Sequence, residues 1–107
     1  MKEKEIVLTK IVQSDGNFKL RPVLVLRKMP TYDDFLVCGI STQLHQEIKD
    51  FDVTLEANTQ TNLKSKSLIR LSFLAVLPSK ELIKTIGAID TTLHNLLLNR
   101  LSDYLND

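Results

Sequence analysis

A chain of 107 residues, 43% hydrophobic and 25% charged, has the composition of one domain, residues 1–107, with a small core. Its single cysteine, Cys38, excludes a disulfide framework and fits a reducing compartment, and no apolar run approaches the ~20 residues that span a bilayer. The start, Met1-Lys2-Glu3-Lys4-Glu5, is charged with no signal-type apolar run behind it, so the cytoplasm is the expected location. A net charge of +1 conceals basic stretches at Lys10–Lys28 and Lys64–Lys84 around an acidic one at Asp33–Glu56.

In chain order, Ile6 to Val12 is β-branched and apolar and predicts a first strand. Ser14-Asp15-Gly16-Asn17 is turn chemistry. Leu20-Arg21-Pro22-Val23-Leu24-Val25-Leu26 predicts a second, buried strand running to about Lys28, with Arg21 fixed at its mouth by a proline that cannot donate to a ladder. After a loop, Phe35 to Ile40 predicts a central third strand, ended by the hydroxyls of Ser41 and Thr42. Gln43 to Asp50 is polar, with room for a helical turn; Phe51 to Leu55 alternates like a short edge strand, and Ala57 to Asn62 is a polar loop. Ser67 to Leu77 predicts a long, bent strand, with Leu71, Phe73, Ala75 and Leu77 alternating, and Pro78 stops it.

Ser79 to Lys84 then reads as a short helix capped by Ser79, and Thr85 to Ile89 as a short strand. Asp90 caps a last helix with Leu93, Leu96, Leu97, Leu98, Leu101, Tyr104 and Leu105 spaced by three and four. The surplus Leu98 suits either a subunit contact or a scattered surface leucine. Strands first and one helix last read as α+β: a compact, strongly bent antiparallel sheet, forming a partly open barrel, with a short helix and a C-terminal helix.

Chemistry is sparse. His45 and His94 have no pairing motif and read as loop and helix-surface residues; with one cysteine, metal ligation is not supported. The isolated glycines Gly16, Gly39 and Gly87 make no phosphate loop, so no cofactor is expected. What remains is Arg21, Ser41, Thr42 and Arg70. If the second and third strands pair antiparallel, Arg21 lies beside Ser41 and Thr42, a fork and hydroxyls suited to a phosphate. RNA carries its own nucleophile in the ribose 2′-hydroxyl, so cleaving it needs only donors aimed at the charge that develops on phosphorus oxygens. On spacing alone, Arg70 reads first as a sheet-surface residue and Ser41 and Thr42 as turn residues.

These segments, in order, resemble the MazF/PemK toxins of type II toxin–antitoxin systems. Glu5-Ile6-Val7 is similar to the family's "GD-I-V" strand, with Lys4 at the glycine. Lys19 to Leu26 is similar to "RRPVLVV", Gly39-Ile40-Ser41-Thr42 to "PITS", Leu63 to Arg70 to "L-x-x-x-S-V-V-R", and Ser79 to Asp90 to the short helix and "IG-x-L" strand. The resemblance implies an SH3-like barrel with a C-terminal helix, a homodimer, an antitoxin partner, and metal-independent cleavage of single-stranded RNA to a cyclic phosphate.

Residue by residue, it implies a catalytic role for Arg21, for Ser41 and Thr42 at the "ITS" hydroxyls in swapped order, and for Arg70 as an acid. It implies substrate binding by Asp15, Asn17 and Lys19 in a short loop, and by Pro22 and Ser72. Two departures stand out: Ser72-Phe73 replaces an acid followed by Gln, and Ala75-Val76 replaces "RT". The missing acid motivates an alternative, a catalytically weak relative binding RNA, a protein partner or a topoisomerase on the same fold.

Overall fold

The computed structural model describes residues 1–12 and 14–107. Its strands are β1 (Glu5–Val12), β2 (Phe18–Lys28), β3 (Asp34–Ser41), β4 (Val53–Leu55), β5 (Ser67–Pro78) and β6 (Leu82–Ala88), followed by helix α1 (Thr91–Asn106). They form one antiparallel sheet in the order β4-β5-β3-β2-β1-β6, open at β4 and β6. The edge position of β4 and the central position of β3 match the sequence expectation. Val23 to Leu26 are all buried because the sheet carries an apolar cluster on each face. Leu24, Leu26, Cys38, Ile40, Ile69 and Leu71 meet Leu97 and Leu101 of α1 on one face. Val23, Val25, Phe35 and Val37 gather with Leu82 on the other. Burial pushes the Cys38 thiol up to about 12, with the Asp52 carboxylate adding to it.

A break in β5 decides what each face presents. Gly39 pairs with Arg70, but the next residue back, Cys38, pairs with Leu74. Leu71, Ser72 and Phe73 are therefore extra residues, and the inside–outside alternation of β5 inverts across them. Ile69 and Leu71 enter the helix-side core, whereas Ala75 and Leu77 pack on the opposite face. The alternation from Leu71 to Leu77 reads as one face in the sequence and is divided between two in the fold.

Helix α1 starts where Asp90 predicts: Asp90 Oδ1 accepts from Leu93 N–H at 2.8 Å, a cap contributing about 1 kcal/mol. Two helix expectations need correction. His94 is buried, not on the surface, and its Nε2 lies 2.8 Å from the Leu26 carbonyl. A carbonyl only accepts, so Nε2 carries the proton. Leu98 packs against the core; the exposed apolar residues of the helix are Leu96, Tyr104 and Leu105.

The region after Pro78 also differs. The expected helix is a single 3-10 turn, Ser79–Glu81, because the backbone from Leu82 already pairs with β1. Ser79 is not a cap. Its Oγ donates to Asp33 Oδ2 at 2.6 Å, and this bond, with Lys28 beside it, holds the Asp33 carboxyl below its usual range. The helical turn anticipated between Gln43 and Asp50 is the 3-10 turn Leu44–Gln46, and His45 on it is exposed as expected.

Candidate active site

Val23 of β2 lies opposite Gly39 of β3, so two residues further on Arg21 reaches the level of Ser41. Gly39 in turn lies opposite Arg70 of β5. Arg21, Ser41 and Arg70 thereby share the sheet face away from α1, and all three line one groove of about 290 Å³. Phe73 closes its side. The ring sits so close to Gly39 that a Cβ there would lie 3.3 Å from it.

Thr42 follows Ser41 at a bend just past the end of β3 and does not line this groove. It lines a second groove of about 550 Å³ with Lys19, Arg21, Lys64 and Ser65. Arg21 and Pro22 border both grooves. The expected meeting of Arg21 with both hydroxyls is thus a ridge with one hydroxyl on each side. Among the described residues, neither groove is lined by an acidic residue, and their basic residues come from the two basic stretches of the sequence.

Arg21 and Ser41 are open to an anion, and Arg70 is partly committed. Arg21 is exposed and, among the described residues, makes neither a salt bridge nor a side-chain hydrogen bond. Ser41 Oγ accepts from Gln43 N–H at 3.1 Å, which leaves its own hydrogen to donate. Arg70 donates from Nη1 to Gln46 Oε1 at 3.3 Å, while its Nε is covered and has no partner among the described residues. A covered, unpaired donor is costly and calls for a reason.

The remaining sequence candidates are dispersed. Asp15 and Asn17 bond to each other across the turn, Asn17 N–H to Asp15 Oδ1 at 2.9 Å, and line neither groove. Lys19 does line the second groove, from within β2 opposite Ile11 rather than from the loop.

A family model described as the PemK-like, MazF-like toxin of type II toxin–antitoxin systems matches residues 2–105. The chain belongs to this family. Among solved structures, the Mycobacterium tuberculosis toxin MazF-mt6 is similar in fold, with a TM-score of 0.69 at 20% identity over 95% of this chain and 96% of that one. No curated protein sequence matches.

Within this MazF/PemK-like toxin, the position where the sequence lacks an acid is not without one. Ser72, exposed on the β5 bulge, donates from N–H and from Oγ to Asp52 Oδ1, both at 3.2 Å. Asp52 is only 2% exposed, and its other oxygen accepts from Ile48 N–H at 3.0 Å. Sequence reading missed Asp52, placing it inside an alternating edge strand. The available signal was an acid between Phe51 and Val53, at a position that an apolar alternation leaves to solvent.

Proposed function

We propose that this toxin is a metal-independent endoribonuclease that cuts single-stranded RNA, such as mRNA, at specific short sequences by attack of the ribose 2′-hydroxyl. The observation that supports this most is the convergence of Arg21, Ser41 and Arg70 on one acid-free groove. A backbone phosphate seated there meets two guanidinium groups and a hydroxyl donor. As the O2′–P bond forms, the 2′-hydroxyl passes its proton to a water molecule and negative charge grows on the non-bridging oxygens. Arg21 and Arg70 stabilise that charge more strongly than the charge of the ground state, which is what lowers a barrier. The P–O5′ bond then breaks, the departing oxygen takes a proton back from water, and the products are a 2′,3′-cyclic phosphate and a 5′-hydroxyl. Thr42, Lys19, Lys64 and Pro22 border the adjoining groove, where neighbouring nucleotides would lie.

The same reading makes the protein a cytoplasmic homodimer restrained by a cognate antitoxin. The purified toxin should cut single-stranded RNA at discrete sites with a chelator present and leave duplex RNA intact. Binding should weaken as salt rises, since phosphate contacts release counterions. RNA left whole by folded protein would overturn the proposal and favour a non-catalytic binding role.

A further inference from the structure

Asp52 is a buried carboxylate in no salt bridge among the described residues, the nearby Arg100 of α1 donating instead to its main-chain oxygen at 3.3 Å. Such a group costs free energy unless its hydrogen bonds are complete, and here they are made by two segments far apart in sequence. Ser72 N–H and Ser72 Oγ bind it from the β5 bulge. Ile48 N–H binds it from the segment between the 3-10 turn and β4, and Asp52 N–H returns a bond to Ile48 O at 2.9 Å. Arg70 is attached to both segments. It stands two residues before Ser72 on β5, and its Nη1 is held by Gln46, two residues before Ile48.

From this we infer that Asp52 is the positioning residue of the groove: its carboxylate locks the bulge and the Gln46 segment together, so that the Arg70 guanidinium is held at one place and angle. The inference rests on reading the groove as the phosphate site. Asp52 touches no reacting atom. It acts through Arg70, and with Ser72 it stands where β5 itself carries no acid. The covered, unpaired Nε of Arg70 fits this role, because a donor kept out of water without a partner needs surroundings rigid enough to hold it there.

The test is Asp52→Asn, which keeps the shape but turns one acceptor oxygen into a donor facing N–H or O–H groups. Circular dichroism establishes that the variant is folded at the assay temperature. The first readout needs no catalysis: solvent exchange of the Arg70 Nε–H, followed by NMR, should become about tenfold faster in the variant. The second uses RNA cleavage. The variant should lose roughly tenfold to a hundredfold in kcat, as for a misplaced catalytic group, with KM held within about twofold. In an Arg70→Ala background the same substitution should change kcat by less than about twofold, because the group it positions is gone.

An unchanged exchange rate, an unchanged kcat, or an equal loss in the Arg70→Ala background would each overturn the inference. Intact RNA with wild-type protein would overturn the endoribonuclease reading instead. The coupling of Asp52 to Arg70 would then be decided by the exchange rate alone, supported if faster in the variant and overturned if unchanged.

Discussion

Arg21→Ala should slow RNA cleavage by about a hundredfold to a thousandfold while leaving the melting temperature close to wild type, the loss typical of removing one donor to a developing oxyanion. The two halves of the prediction share a cause. Arg21 is exposed within β2, opposite Thr9 of β1 rather than at the strand's mouth as the sequence suggests, because the ladder with β1 extends back to Phe18; its side chain is bonded to nothing else among the described residues, so the fold does not depend on its guanidinium. It borders both grooves, so a phosphate entering from either side meets it. Arg21→Lys keeps the charge but loses the planar fork and should fall between wild type and alanine. Single-turnover cleavage of one RNA by the three proteins, with thermal melts alongside, makes the measurement. A rate for Arg21→Ala equal to wild type would remove Arg21 from the chemistry.

Gly87→Ala should act the opposite way, through the fold. A Cβ at Gly87 would lie 2.2 Å from Thr61 O and 2.7 Å from Gln60 O, both backbone atoms. That segment cannot simply withdraw. Asn58 Oδ1 accepts from Gln60 N–H and Thr61 N–H, each at 2.9 Å, Thr61 Oγ1 donates to Glu56 O at 2.9 Å, and Gln60 O accepts from Ala88 N–H at 3.0 Å. Either β6 shifts on β1 or the loop breaks these bonds. The expected cost is about 3 kcal/mol, which for a domain of this size lowers the melting temperature by roughly 12–24 °C. The loop continues into Asn62, Lys64 and Ser65, which line the second groove, so cleavage should weaken even at temperatures where the variant stays folded. Gly39→Ala is the contrast: its nearest neighbour is a side-chain atom of Phe73 at 3.3 Å, which can give way. Thermal unfolding followed by circular dichroism distinguishes the two; equal melting temperatures for Gly87→Ala and wild type would contradict the packing described for β6.

The contrast between these sites marks what was legible in the sequence. Local signals carried far: the apolar runs of β2 and β3, the Asp90 cap and the turn at Asp15-Gly16 are written in neighbouring residues. Antiparallel pairing of β2 with β3 then sufficed to place Arg21 level with Ser41. What escaped depends on partners distant along the chain. The β5 bulge is visible only against β3, and it alone moves Phe73 into the groove. Asp52 is buried because Ser72, twenty residues later, binds it. His94 is buried because the Leu26 carbonyl accepts its Nε2 proton, and Ser79 leaves its capping role for Asp33. In each case a polar side chain found a partner that no local periodicity announces, and the partner set its burial.

In the proposed reaction the RNA supplies its own nucleophile inside the Arg21–Arg70 groove. Once a cleavage site is mapped, the decisive measurement uses that RNA with a single 2′-deoxyribose immediately 5′ to the scissile phosphate. The substrate keeps its phosphates, so it should still bind the wild-type protein with nearly the affinity of the all-ribose strand. It should not be cut, because the attacking hydroxyl is gone. Cleavage of the deoxy-substituted strand at the same phosphate would show that the nucleophile comes from elsewhere, and the account of this groove would be wrong.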